Sequence, residues 1–93
     1  MDKADKKLEL RIIAPSMQLA KMPPTQADMI IIRCANGDMG ILPGRAACSM
    51  VLGKGKLRIF DGKDEAQMEI DGGIASVAGD LVTVLSNSIS WAE

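Results

Sequence analysis

The sequence predicts an all-β fold, a flattened sandwich or barrel of about ten short antiparallel strands. Three observations point there. Apolar and polar residues alternate with period two in several segments, and a turn signal recurs about every eight to ten residues. No segment sustains a 3.6-residue apolar repeat between helix caps. The 93 residues leave room for one domain with one modest core.

Each element follows in chain order. Residues 1–7, opening MDKADKK, read as a charged, flexible tail. Leu8, Leu10 and Ile12 alternate with Glu9 and Arg11, as a half-buried strand does. Pro15 interrupts that strand, and Met17 to Met22 form a second short one, closed by Pro23-Pro24. Met29 to Cys34 is an apolar run broken by one arginine, the pattern of a central strand. Asn36-Gly37-Asp38 supplies turn chemistry, and Pro43-Gly44 after Ile41 and Leu42 is a favoured type II centre. Cys48 to Leu52 and Lys56 to Phe60 read as two strands separated by Gly53-Lys54-Gly55. Asp61-Gly62 turns the chain into Ala66, Met68 and Ile70, which alternate with Gln67, Glu69 and Asp71. Gly72-Gly73 then leads to Ile74 through Val77, and Gly79-Asp80 leads to Leu81 through Leu85. The domain thus runs over 8–88, and at 89–93 Ser90 offers a helix N-cap with too few residues after it to complete a turn.

Composition argues against chemistry. Histidine is absent, which removes the commonest general base, the commonest metal ligand and every His-dependent triad. Two cysteines with no C-x-x-C spacing make neither a disulfide framework nor a zinc site, so buried free thiols are expected. Gly53-Lys54-Gly55-Lys56 lacks the spacing and the following helix of a phosphate loop, and 61–65 lacks the calcium-loop register. The net charge of −1 is interspersed, and Lys54, Lys56 and Arg58 share a strand face with no aromatics for base stacking. With only Phe60 and Trp91 aromatic, the core must be aliphatic, with Met17, Met22, Met29, Met50 and Met68 as adaptable filler. The charged opening has no apolar signal-peptide region, and no window has the ~20 apolar residues needed to span a bilayer. An enzyme would need Asp28, Asp38, Asp64 or Glu65 gathered in a pocket with shifted pKa values.

The run Gly37 to Ala46, GDMGILPGRA, carries a family signal. Gly37, Gly40, Ile41, Leu42, Pro43, Gly44 and Ala46 resemble the G-(E/D)-x-G-x-L-P-G-H-A motif of the epsilon subunit of bacterial F-type ATP synthase. Gly55, Leu57, Arg58 and Ile59 resemble its P-G-x-L-R-I stretch. Gly72-Gly73-Ile74, Val77 and Val82-Thr83-Val84-Leu85 resemble its G-G-x-x-x-V…V-T-V-L ending. The resemblance covers nearly the whole chain in order, and implies the family's ten-stranded N-terminal sandwich. It implies a non-catalytic rotor subunit on the central stalk, bound to the gamma subunit and resting on the c-ring. Such a subunit helps couple proton flow to ATP synthesis at the cytoplasmic face of the bacterial membrane, held there through protein contacts. The family's inhibitory helical hairpin would begin where Ser90 to Glu93 fall, so the expectation is docking without inhibition and without bound nucleotide or other cofactor.

The resemblance assigns Asn36, Gly37, Asp38 and Met39 to a loop facing the c-ring, and Leu42, Pro43, Gly44 and Arg45 to a loop facing gamma. Arg45 stands where the family usually has histidine, Ala47 where it has proline, and Met22-Pro23-Pro24 where it often has an aromatic residue and glycine. From the residues themselves, Asp38 either caps its own turn or meets the ring. Met39 and Leu42 are either core or, if exposed beside Ile41, an interface patch. Arg45 is either an interface donor or the partner of a local acid. The competing functional class is a β-sandwich adaptor or ligand-binding module of another complex.

Overall fold

The structure, a computed structural model, describes residues 7–14, 24–44 and 46–92. Eight strands and no helix occur among them. They are β1 (Leu8–Ile13), β2 (Gln26–Ala27), β3 (Met29–Cys34), β4 (Gly37–Ile41), β5 (Cys48–Asp61), β6 (Asp64–Ala78), β7 (Leu81–Leu85) and β8 (Ile89–Trp91). The strand order is β2-β1-β7-β6-β5-β3-β4, with β8 also on β6. The all-β expectation holds, and the alternation in β1 is realised with Leu8 and Leu10 buried and Glu9 and Arg11 exposed.

Three details depart from the sequence reading. Gly53-Lys54-Gly55 and Gly72-Gly73 do not separate strands, because β5 and β6 run through them for 14 and 15 residues. The ladder is maintained across them, with Leu52 opposite Gly73 and Lys54 opposite Asp71. What changes there is phase. Inward residues of β5 are Leu52 before the glycines and Leu57 and Ile59 after them. In β6 they are Met68 and Ile70 before the glycine pair, then Ala75 and Val77. Each long strand therefore swaps its buried face once and serves both layers of the sandwich, which is why two strands replace four.

The second departure is that pairing is not uniformly antiparallel. β1 lies parallel to β7, with Leu10 opposite Val82 and Ile12 opposite Val84. The third is at the end of the described chain, where Ile89–Trp91, for which no strand is expected from the sequence, form β8 against Met68–Ile70. Ile89 is 1% exposed, so burial of its side chain outweighs the capping preference of Ser90. The expected strand over Met17 to Met22 lies outside the described residues.

One aliphatic core joins the layers, with Leu8, Ile30, Ile32, Ile41, Leu57, Ile59, Met68, Val82 and Val84 all essentially inaccessible. Each such side chain contributes about 1.5–3 kcal/mol of transfer free energy. Ser86 is the one buried polar side chain among the described residues. Its hydroxyl lies 2.7 Å from the Gly72 carbonyl and 3.1 Å from that of Ser88.

Candidate functional site

The motif Gly37 to Ala46 does not form a single loop. Its first half is β4, the edge strand, paired to β3 through a turn at Ala35 and Asn36. Alternation then decides each role. Ile41 is fully buried and Met39 packs partly against the core, whereas Asp38 projects outward. Asp38 faces Arg33 across the strand pair, with Arg33 Nε 2.7 Å from one carboxylate oxygen and Nη2 3.4 Å from the other. That ion pair, rather than a self-capped turn, is the local partner of Asp38, and it raises the pKa of Arg33. A shallow groove beside it is lined by Cys34, Asn36, Asp38, Met39, Met50 and Val51.

Leu42 is 57% exposed, while its neighbour Ile41 is core, so the two do not form a joint patch. Pro43 and Gly44 make the expected turn, and Gly44 takes φ +86°, as the third residue of a type II turn requires. The Gly44 N–H donates to Asp80 Oδ1 at 3.0 Å, fastening this turn to the one between β6 and β7. Arg45 lies outside the described residues. The two loops singled out in the sequence therefore sit apart. Pro43-Gly44 lies by Asp80, at the start of β7, whereas the β3–β4 turn is bonded through the Ala35 N–H to the Val51 carbonyl.

The structure also shows a feature that no sequence motif marks. Ile13, Leu85, Ile74 and Val51 are 49%, 49%, 51% and 65% exposed. They stand directly opposite one another across four adjacent strands, Ile13 to Leu85, Leu85 to Ile74, and Ile74 to Val51. The result is an apolar row about 14 Å long, three strand spacings of ~4.8 Å, on the outer face of the sheet. The signal was present as apolar doublets: Ile12-Ile13, Val51-Leu52, Ile74-Ala75 and Val84-Leu85. In a strand, one member of each doublet must face out. Arg33 and Asp80 were also missed, because a cross-strand partner depends on register, which the sequence leaves open.

Three of the four acids that an enzyme would need, Asp28, Asp38 and Glu65, are held in ion pairs. Asp28 accepts the Gly62 N–H at 2.6 Å and pairs with Lys7 at 2.9 Å, and these contacts hold its carboxyl below the usual range. Lys7 also pairs with Asp61. Glu65 is lowered by Arg58 at 2.8 Å and then by Gln67. Lys54 and Lys56 form a solvated strand face, as expected, with Lys56 bonded to Gln67 at 3.3 Å. Cys34 is a buried free thiol whose pKa burial pushes up, and Cys48 is free and half-buried. No group of His, Cys, Asp or Glu among the described residues is arranged to hold a metal ion.

Comparison with known proteins supplies the lineage. The chain is 33% identical over 85 residues to the ATP synthase epsilon chain of Caldicellulosiruptor saccharolyticus, covering 91% of this chain and 60% of that one. It is 35% identical over 81 residues to the epsilon chain of Synechococcus sp. (strain RCC307), covering 87% and 58%. It therefore spans about three-fifths of the length of these relatives. The fold superposes on a chain of the Euglena gracilis mitochondrial ATP synthase, a structure of OSCP, F1 and c-ring, with TM-score 0.67 and 24% identity over 95% of this chain and 57% of that one. A chain from the central stalk and c-ring of the Tetrahymena thermophila mitochondrial enzyme gives TM-score 0.67 and 17% identity, covering 90% and 66%. Residues 7–92, the span that folds into the sandwich, match the ATP synthase delta/epsilon chain β-sandwich domain, and the chain belongs to that family.

Proposed function

We infer that this domain is a non-catalytic docking element of the central stalk in a proton-translocating F-type ATP synthase. In this reading it joins the gamma subunit to the c-ring and turns with them, so that proton flow and ATP synthesis stay coupled. The observation that carries the reading is the row Ile13–Leu85–Ile74–Val51. Four half-exposed aliphatics in cross-strand register form a contiguous apolar strip, which a small soluble domain keeps where another surface covers it. Covering them contributes roughly 1 kcal/mol per side chain, enough to anchor an interface whose polar rim sets orientation.

The β3–β4 turn lies beside the Val51 end of that strip, where the Ala35 N–H bonds to the Val51 carbonyl. In this reading Asn36, Gly37, Asp38 and Met39 belong to the loop that meets the c-ring, and Leu42, Pro43, Gly44 and Arg45 to the loop that meets gamma. Relatives are epsilon chains, and the Tetrahymena chain comes from a central stalk and c-ring, which supports the stalk reading. No helix among the described residues is long and apolar enough to cross a membrane, so the membrane contact in this reading runs through the ring. Co-purification with gamma subunit and c-ring from the same organism tests it. The wild-type domain is expected to be retained, and Ile74→Lys or Leu85→Lys to be lost while keeping wild-type circular dichroism. Failure of the wild-type domain to bind either partner refutes the stalk assignment.

A further inference from the structure

The Arg33–Asp38 pair links neighbouring strands at the β3–β4 corner. Arg33 sits where the register of β3 against β5 shifts, between Ile32 opposite Leu57 and Cys34 opposite Leu52. The irregularity lays the stem of Arg33 across Gly55. A Cβ on Gly55 would stand 2.6 Å from Arg33 Cγ and 2.8 Å from its Cβ, so only glycine leaves room for the stem. The stem is thus seated on β5 backbone, and the head is turned toward Asp38 in the neighbouring strand.

A guanidinium is a flat fork of five N–H donors with two edges able to grip a carboxylate. Here Asp38 occupies the edge formed by Nε and Nη2. The end edge, Nη1 with the second hydrogen of Nη2, has no partner among the described residues, and the side chain is 45% exposed. Asp38 therefore aims the arginine and leaves an oriented two-donor edge facing outward.

We propose that Arg33, aimed by Asp38, is the recognition group of the β3–β4 corner, and that the partner surface it meets presents a carboxylate. This rests on the docking function inferred above, and it assigns the corner a sign. A corner that used Asp38 as its reader would seek a lysine or arginine. A corner that uses the free edge of Arg33 seeks an acid, and a planar bidentate one in preference to a point acceptor.

Binding of the full chain to a rotor complex of gamma and c-ring from the same organism, measured by biolayer interferometry at low and moderate salt, separates these. Arg33→Ala is expected to weaken binding about tenfold and Arg33→Glu a hundredfold or more, with a shallower salt dependence. Arg33→Lys, which keeps the charge and loses the fork, falls between Arg33→Ala and wild type. Asp38→Asn is expected to bind as wild type or more tightly, since it removes a like charge beside the partner's acid. Melting temperatures of all four variants within a few degrees of wild type exclude a purely structural effect. Arg33→Glu binding as wild type, or Asp38→Asn weakening more than Arg33→Ala, overturns the proposal while leaving the stalk assignment intact. Wild-type protein that does not bind the rotor refutes both.

Discussion

Substitution of Gly73 by alanine is expected to be among the most damaging single-methyl additions to this domain. Gly73 has φ +121°, a region closed to L side chains, and lies at the phase change of β6. Holding a non-glycine residue in such a conformation costs about 1–3 kcal/mol. The added Cβ would also overlap the Leu85 carbonyl oxygen and stand 2.7 Å from Ser86 Cα. Both are backbone or Cα atoms that cannot rotate away, so β7 must shift and weaken its ladder with Ile74, at roughly 0.5–1.5 kcal/mol per hydrogen bond. Together these give about 3–5 kcal/mol, a large part of the ~5–15 kcal/mol available to a small domain. At about 4–8 °C per kcal/mol, the melting temperature should drop by ~12–40 °C. Urea unfolding followed by the Trp91 fluorescence is the assay, with Gly62→Ala as the control. Gly62 has φ +64° and open space around its Cβ position, so it should lose only the backbone preference, about 1–2 kcal/mol. If Gly73→Ala costs no more than Gly62→Ala, the steric account of the phase change is wrong.

Two further expectations concern single groups. Ser86→Ala leaves the half-buried Gly72 carbonyl without its 2.7 Å donor, and should cost about 1–2 kcal/mol in the same urea assay. The tie among Lys7, Asp28 and Gly62 should give stability a pH signature. Asp28 and Glu65 have pKa values depressed in the folded state, so their contribution is present above the ordinary carboxylate pKa of about 4 and disappears as pH falls through the lower folded values. Lys7 is raised, chiefly by Asp61 and then Asp28, so its share is complete below about pH 10.4 and is lost above it. Asp28→Asn should therefore be less stable than wild type at pH 7 and converge with it near pH 2, as read by melting temperature across pH. Parallel profiles that never converge would contradict the linkage.

Much of the fold was legible because period-two alternation is a local signal. Leu8, Leu10, Met68 and Ile70 lie in the core where alternation puts them. The Pro43-Gly44 turn was equally legible, since its chemistry resides in the two residues themselves. The glycines of β5 and β6 were misjudged because glycine permits a turn and a phase change alike, and only the partner strand decides between them. For the candidate site, the sequence identified the motif but not its division between two separate places on the molecule. The apolar row escaped notice because its members are 23 or fewer residues apart only in part, Ile13 and Leu85 being brought together by parallel pairing. The same holds for Arg33 over Gly55, a contact created by a register shift that no local pattern announces.

The parallel pair of β1 and β7 also sets the order of assembly. During synthesis β1 emerges first, yet its long partner strand lies about 70 residues later, from Glu9 opposite Leu81 to Ile13 opposite Leu85. The β5–β6 ladder closes around a turn of two residues, Gly62 and Lys63, and can zip from Asp61 and Asp64 outward with little loop entropy. Folding should therefore nucleate in this long hairpin and end when β1 inserts beside β7, the reverse of the order in which the chain is made. Mutations in the hairpin, such as Leu57→Ala, should then slow refolding, whereas Leu10→Ala should mainly speed unfolding. Of the described strands, β1 is made first and is the last to find its place, and until it does the inner faces of β1 and β7 stay open to solvent.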